Sequence, residues 1–168
     1  MKKVIVYTTV GLMAVVTMFA CHKYTSIENG NALPADMVAT IDSVSWQAAD
    51  STQTAIISQG LVTISGISAD GQEISITLDD TVVGEYILNQ TSTSLAIYAN
   101  LDSVGSYAYS TNQGTDTAQA GGTVTVTSVN KVGRTISGIF SFKVFRNSDG
   151  TQKDITAGDF YNIPYVDQ

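Results

Sequence analysis

Alternation between apolar and hydroxyl side chains is the feature that most constrains the fold of this chain. Residues 123–129 read TVTVTSV, and residues 134–146 place four large apolar side chains on one face of an extended chain, namely Ile136, Phe140, Phe142 and Val144. Ile139 and Phe145 interrupt the polar face, so we expect that side to be partly covered as well. A period of two residues is typical of a strand with one buried face. We expect residues 134–146 to form the longest strand and to lie at the centre of the core.

Turn-forming residues divide the rest of the chain at short intervals. Asp70-Gly71 favours a tight hairpin because glycine tolerates a positive φ, and a change of apolar parity at Gly66 predicts a β-bulge. Further predicted strands cover residues 38–41, 44–48, 55–58, 61–69, 73–78, 85–89, 95–99, 106–110 and 151–156. About ten short strands without a helical stripe predict an all-β, antiparallel, mostly hairpin-connected β-sandwich or flattened up-and-down barrel.

The N-terminal segment contains the regions of a secretory signal peptide in their usual order. Lys2 and Lys3 precede an uncharged, largely apolar stretch, and Ala20 precedes the single cysteine, Cys21. A basic start, an apolar middle and a small residue at the boundary are typical of signal peptides. The Ala20-Cys21 junction resembles that of bacterial lipoprotein precursors, in which the cysteine is diacylated and becomes the mature N-terminus.

This resemblance divides the chain into three parts. Residues 1–20 are predicted to be a lipoprotein signal peptide, and residues 21–36 a lipidated Cys21 with a flexible tether. Residues 37–168 are predicted to form a single antiparallel β domain. The expected location is the outer membrane, with the lipid-anchored domain facing the periplasm or the cell surface.

Composition excludes several classes of function. The net charge of −7 argues against binding of nucleic acid, because phosphate recognition requires clustered Lys and Arg side chains. Removal of residues 1–20 takes away Lys2 and Lys3, which makes the formal charge −9. One cysteine forms no internal disulfide. The only histidine, His22, lies in the tether, so a Ser-His-Asp hydrolase is not expected.

Carboxylates are the one abundant reactive group. A carboxylate-based glycosidase needs only two facing acids, so the fifteen Asp and Glu residues keep this hypothesis open. It is the least favoured of the hypotheses. Asp79 and Asp80 are weak candidates for a structural calcium site, although the spacing of a calcium-binding loop is absent. No cofactor is otherwise expected, and the sequence predicts no catalytic residue.

Tyrosines provide the second candidate site. Tyr107 and Tyr109 share one face of a predicted strand, and Tyr98 is expected opposite them in a hairpin. An exposed cluster would bind a sugar or another ligand, whereas a buried cluster would line the edge of the core. The polar segment 111–122 has two interpretations as well, a binding-site lid or a disordered connector, and its composition favours the connector.

Several segments together resemble a family of uncharacterised lipoproteins from Gram-negative bacteria that is defined only as a domain of unknown function. They are ATIDSVSWQA (39–48), LVTISGISADGQEISITL (61–78), GEYIL (84–88), TVTVTSVNKVGRTISGIFSFKV (123–144) and ITAGDFYNIPY (155–165). Ser43 stands where the family more often has glycine. The resemblance implies a secreted, lipid-anchored β domain and brings no catalytic residues with it.

These observations lead to three hypotheses from different classes. The first is a lipid-anchored, non-enzymatic envelope protein whose β domain binds a ligand or a partner, with an envelope protein or a glycan as the expected kind of partner. The second is a structural or accessory subunit of an outer-membrane complex. The third is the glycosidase, which requires a cleft with two close acids.

Overall fold

The computed structural model describes residues 34–101, 107–116 and 118–168, and these residues form eleven β-strands. The strands are β1 (Asp36–Ile41), β2 (Val44–Gln47), β3 (Thr54–Ser58), β4 (Leu61–Ile67), β5 (Gln72–Leu78), β6 (Gly84–Leu88), β7 (Leu95–Asn100), β8 (Tyr107–Ser110), β9 (Gly121–Asn130), β10 (Thr135–Arg146) and β11 (Thr151–Asp167). The predicted all-β, mostly antiparallel fold is confirmed. Within the described ranges there is no helix that is long and apolar enough to cross a bilayer. The predicted signal peptide, Cys21, His22 and most of the tether lie outside these ranges.

The strand pairings form one sheet that closes on itself. Its order is β2-β1-β11-β3-β4-β5-β7-β8-β10-β9-β6, and an additional pairing joins β11 to β10. The strands from β11 through β3, β4, β5, β7 and β8 to β10 therefore make a ring, from which β1-β2 and β9-β6 extend. One pair, Phe145 with Ser110, joins β10 to β8, and β3 pairs in parallel with the end of β11. This is a sandwich joined at its corners, or a flattened barrel, as predicted.

Alternating side chains fill the space inside the ring. The burial of β1 and β5 alternates residue by residue, so that each strand directs one face to the interior. The largest fully buried side chains include Phe160, Met37, Ile64, Ile74, Ile76, Leu78, Leu88, Ile136, Ile155 and Ile163. Burial of each such side chain contributes about 1.5–3 kcal/mol, which makes this interior the main source of stability.

Gly66 continues the inward face of β4, and the predicted bulge there is wrong. The pairing of β4 with β5 is continuous from end to end, and burial alternates through Gly66 without a break. A Cβ atom at this position would lie 2.7 Å from the Cβ of Ala48 and 3.0 Å from the Sδ of Met37. The glycine is therefore required by the close approach of β1 and the residues after β2, which the parity of the sequence does not reveal.

β11 is the longest strand, with 17 residues against 12 in β10, so the expectation that residues 134–146 form the longest strand is wrong. Two residues of β11, Ala157 and Asn162, adopt a left-handed φ of 49°. These interruptions and Pro164 conceal the period of two in the sequence. The central position of β10 is confirmed, because it pairs with β8, β9 and β11 and buries Phe140 and Phe142.

Candidate functional site

An open cleft of about 510 Å³ lies beside the hairpin of β1 and β2. Its walls come from this hairpin, the turn between β4 and β5, the strands β7 and β8, and one side chain of β11. Charged and amide side chains alternate there with aromatic rings. The side chains that matter for its chemistry are Asp42, Gln47, Asp70, Gln72 and Lys153, together with Trp46, Tyr98 and Tyr107.

A two-residue turn builds the charged rim of this cleft. Asp42 and Ser43 have φ values of 47° and 70°, the backbone of a type I′ hairpin turn. The Asp42 carboxylate accepts hydrogen bonds from Lys153 Nζ at 2.7 Å and from the Asp154 backbone N–H at 2.9 Å. Partial burial opposes ionisation of Asp42, but these two hydrogen bonds outweigh it and lower its pKa below the ordinary value. The hydrogen bond to Asp42 also raises the pKa of Lys153, so both groups are charged at neutral pH.

Trp46 forms part of the floor of the cleft. Only 5% of its surface is exposed, and its indole N–H donates a hydrogen bond of 3.2 Å to the Gln72 carbonyl oxygen. Its ring packs near Gly66, where an added Cβ atom would lie 3.5 Å from the ring. The site therefore contains the only tryptophan of the chain in a fixed orientation.

The turn between β4 and β5 holds a small polar network. Asp70 accepts hydrogen bonds from the Ser68 hydroxyl group and, at 2.6 Å, from Gln72 Nε2. Gln72 Oε1 in turn accepts a hydrogen bond of 3.0 Å from the Tyr98 hydroxyl group. Gly71 has a φ of 82°, which allows this tight turn. The network fixes the Asp70 carboxylate at the edge of the cleft.

The structure brings the three predicted tyrosines together. Tyr98 pairs with Tyr109 across β7 and β8, and their ring centroids are 5.9 Å apart. Tyr107 meets Tyr109 edge to face at 5.5 Å. Tyr98 and Tyr109 are each only 4% exposed, while Tyr107 is half-buried. Burial and the neighbouring Tyr107 raise the pKa of Tyr98 well above its ordinary value. Tyr98 and Tyr107 line the cleft, whereas Tyr109 lies behind them.

Arg146 covers the faces of two of these rings. Its guanidinium carbon lies 4.9 Å from the ring centroid of Tyr107 and 4.7 Å from that of Tyr109. Arg146 is oriented by an ion pair with Asp149, and this pair lowers the pKa of the Asp149 carboxyl group. Thr151 donates a hydrogen bond of 3.2 Å to the Tyr109 hydroxyl group or accepts one from it. One face of each of these two rings is thus occupied by a cation–π contact and is not available for stacking on a ligand.

The two calcium candidates lie outside this cleft, in the segment after β5. The Asp79 carboxylate accepts hydrogen bonds from the hydroxyl groups of Thr93 and Ser94, which lower its pKa. Asp80 accepts a hydrogen bond of 2.6 Å from the Thr81 backbone N–H. Among the residues that the structure describes, no three His, Cys, Asp or Glu side chains converge as a metal ion would require.

The segment after β8 is ordered by side-chain contacts in its described residues. Gln90 Nε2 donates a hydrogen bond of 2.7 Å to the Asp116 carbonyl oxygen. The Gly114 backbone N–H donates one of 3.0 Å to Asn147 Oδ1 in the turn between β10 and β11. The described part of residues 111–122 is therefore an ordered connection and not the disordered connector that its composition favours, and none of it lines the cleft.

Sequence reasoning did not find most of the cleft. Asp42 and Lys153 are 111 residues apart, and no local pattern relates them. Gln47 and Gln72 are ordinary polar residues at the ends of two strands. The available signal was the pair of tight-turn motifs at residues 42–43 and 70–71, each of which places polar side chains at the end of a hairpin.

The fold and the cleft define a class of protein: an all-β domain of two joined layers with a polar cleft beside its first hairpin. Residues 34–164 match the family model described as a domain of unknown function, DUF6252. The chain belongs to this family, which agrees with the resemblance seen in its sequence to a family of unknown function. Comparison with curated proteins and with solved structures gives no match.

Proposed function

We propose that this protein is a lipid-anchored envelope protein whose β domain binds the end of a glycan, or a similar small polyhydroxylated ligand, without changing it chemically. The observation that carries this proposal is the cleft, in which carboxylate, amide and ammonium groups lie beside aromatic side chains. Its volume of about 510 Å³ falls within the range of small-molecule sites, about 300–1,000 Å³.

The polar groups of the cleft suit a ligand that carries many hydroxyl groups. A hydroxyl group both donates and accepts hydrogen bonds, so it pairs with a carboxylate, an amide or an ammonium group. Gln47 is exposed and uses one amide hydrogen for a bond of 3.2 Å to Asp36, which leaves further amide donor and acceptor positions for a ligand. Asp70 is held at the edge of the cleft by Ser68 and Gln72 and offers its remaining lone pairs.

The electrostatics of the cleft support binding rather than catalysis. A glycosidase needs one carboxyl group that stays protonated as the acid and a second that is ionised. The pKa of Asp42 is lowered by Lys153 and the Asp154 backbone, so Asp42 does not act as the acid. Asp70, the other carboxylate that lines the cleft, already accepts hydrogen bonds from the Ser68 hydroxyl group and the Gln72 amide.

The proposed anchor is Cys21, which follows an apolar stretch and a small residue as in lipoprotein precursors. Burial of each acyl methylene group contributes about 0.8 kcal/mol, so several acyl chains would hold the protein at a membrane permanently. A Cys21→Ser protein is expected to lose both its acyl mass and its membrane attachment. Persistent attachment of this variant would contradict the anchor.

Binding is tested by the fluorescence of Trp46, the only tryptophan in the chain, which lies in the cleft. The full-length protein in detergent is titrated with a panel of mono- and oligosaccharides, and at least one is expected to change the emission in a saturable manner. Gln47→Ala is expected to weaken that binding about tenfold, the usual effect of losing one or two hydrogen bonds to a ligand. Gln152→Ala is the matched control, because this exposed residue of β11 is next to Lys153 but does not line the cleft.

Two results would overturn the binding proposal. The first is the absence of a saturable response to any saccharide. The second is an equal loss of affinity in the Gln47→Ala and Gln152→Ala proteins, which would place the ligand elsewhere. Release of a cleaved sugar by the purified protein would instead support the glycosidase hypothesis.

A further inference from the structure

One end of the domain exposes apolar side chains to solvent. Val132 is 97% exposed, Val83 60% and Val82 56%. Val82 and Val83 line an open cleft of about 570 Å³ together with Lys131, and Val132 follows Lys131 in the turn between β9 and β10. We call Val82, Val83 and Val132 the valine tip.

Val132 has no role in the fold of its turn. The Asn130 side-chain oxygen shapes the turn by accepting the backbone N–H groups of Val132 at 3.1 Å and Gly133 at 2.8 Å. A side chain that is 97% exposed adds nothing to the core, and a polar residue would satisfy the same backbone. Neighbouring exposed apolar side chains mark interaction sites more often than they serve stability.

Lys131 adds a positive charge to the valine tip. The described part of the chain contains five Lys and Arg residues, and four of them form ion pairs. Lys131 is the one that forms none within the described ranges. In a chain with a net charge of −7, this exposed ammonium group is available to an anionic surface.

The first described strand begins at the end of the domain that carries the valine tip. Asp36, the first residue of β1, pairs with Tyr161 of β11, and β1 runs antiparallel to β11. Pro164 of β11 pairs with Thr135, the first residue of β10 after the turn that holds Val132. Asp36 therefore lies toward the end of the domain that carries the valine tip. The opposite end of the domain is the turn between β10 and β11, and the 12 residues of β10 separate the two ends by about 40 Å.

The distance to the anchor limits where the domain can lie. Pro34 is thirteen residues after Cys21, so the intervening chain spans at most about 45 Å even when fully extended. An acylated Cys21 would thus keep Pro34 within about 45 Å of the bilayer. An exposed lysine beside valines matches the chemistry of an interface with anionic headgroups.

We infer that the valine tip and Lys131 seat the β domain on a lipid bilayer, with the valines in the interfacial region and Lys131 beside anionic headgroups. This inference rests on the proposed lipid anchor at Cys21. Seating at this end leaves the turn between β10 and β11 directed away from the membrane. It also restricts the rotation of the domain, which a tether alone would not do.

The test uses the full-length acylated protein in vesicles of phosphatidylethanolamine and phosphatidylglycerol. Acylation blocks the only native thiol, so Val132→Cys supplies a single site for an environment-sensitive dye. Ser148→Cys is the matched control, because Ser148 is exposed in the turn at the opposite end of β10. The dye at position 132 is expected to shift to the blue and to be quenched by spin-labelled lipids at least about threefold more than the dye at position 148. Lys131→Gln is expected to reduce this difference when the vesicles contain phosphatidylglycerol.

The other outcomes distinguish a failure of the seating from a failure of the anchor and from self-association. If the protein floats with the vesicles but both dyes behave alike, the seating is wrong and the anchor stands. If the protein does not float with the vesicles, the anchor and the seating both fail. If the dye at position 132 shifts without vesicles and in proportion to protein concentration, a second copy of the chain covers the valine tip and the lipid inference is overturned.

Discussion

At the scale of single residues, Asp42 joins the first hairpin to the last strand. Its carboxylate holds the Lys153 ammonium group and the Asp154 backbone N–H, while its own backbone adopts the left-handed φ of the hairpin turn. Aspartate tolerates that conformation better than most residues. One side chain therefore sets the turn, ties β1 to β11 and charges the rim of the cleft.

Asp42→Asn separates the charge of this residue from its shape. Asparagine keeps an acceptor for the Asp154 N–H and tolerates the same φ, so only the ion pair with Lys153 is lost. Because the pKa of Asp42 is lowered in the folded state, its stabilising effect is present above the ordinary pKa of aspartate and disappears as the pH falls through the folded value. We expect Asp42→Asn to lower the free energy of unfolding at neutral pH by less than about 1 kcal/mol, since both partners are partly exposed.

Urea denaturation of both proteins at neutral pH and at about pH 3 measures this effect. The difference between wild type and Asp42→Asn is expected to shrink at the acidic pH. Asp50→Asn, at an exposed position away from the cleft, serves as the control. An unchanged difference at the two pH values would show that the ionised form of Asp42 is not the cause.

At the scale of elements, β10 and β11 are joined by two reciprocal pairs of glycine and phenylalanine. Gly138 pairs with Phe160, and Phe140 pairs with Gly158. Each ring lies over the glycine of the other strand, in the space that a Cβ atom would occupy. The rings of Phe140 and Phe160 are stacked, with centroids 6.3 Å apart. Aromatic rings placed over strand glycines are known to stabilise sheets.

Gly158→Ala is expected to lower the free energy of unfolding by about 1–3 kcal/mol, the usual cost of overpacking. The new methyl group would collide with the Phe140 ring, which is only 3% exposed and is stacked on Phe142 at 5.5 Å. Thermal unfolding followed by circular dichroism measures the loss. Ala157→Gly at the adjacent, exposed position is the control and is expected to stabilise or leave stability unchanged, because Ala157 has a φ of 49°. Destabilisation of equal size at both positions would contradict the account of the reciprocal pairs.

The elements also show why sequence predicts some features of this fold and not others. Tight-turn motifs and a period of two place most of the strands correctly, because turn chemistry and the alternation of faces are local properties. Gly66 and the length of β11 depend on what lies across the core, namely Ala48 and Met37 in one case and three neighbouring strands in the other. When only neighbours along the chain are considered, two features indicate the end of a strand although the strand continues. One is a glycine that makes room for another layer, and the other is a left-handed residue inside the strand.

At the scale of the whole molecule, the candidate cleft is a product of topology. The tyrosine cluster follows from one hairpin, and its pairing across β7 and β8 is the part that local sequence predicts. The ammonium group of Lys153 reaches the rim only because β11 returns beside β1 at the other end of the chain. The same return closes the ring where the last residues of β11 pair in parallel with β3.

The closure of the ring at β3 is testable by shortening the chain. Tyr165 is only 7% exposed, and its neighbours Val166 and Asp167 pair with β3. Removal of residues 165–168 eliminates this pairing and a buried aromatic ring, so we expect a loss of about 3–5 kcal/mol in the free energy of unfolding. Hydrogen exchange should accelerate first in β3, whose remaining partner is β4, while the hairpin of β9 and β10 stays protected.

Removal of Gln168 alone is the control for this truncation. It deletes one hydrogen bond, to the Ile57 carbonyl oxygen, and is expected to cost about 1 kcal/mol. Uniform acceleration across all strands would mean that β11 stabilises the whole sheet through its pairing with β10, and that the contact with β3 is not a separate closure.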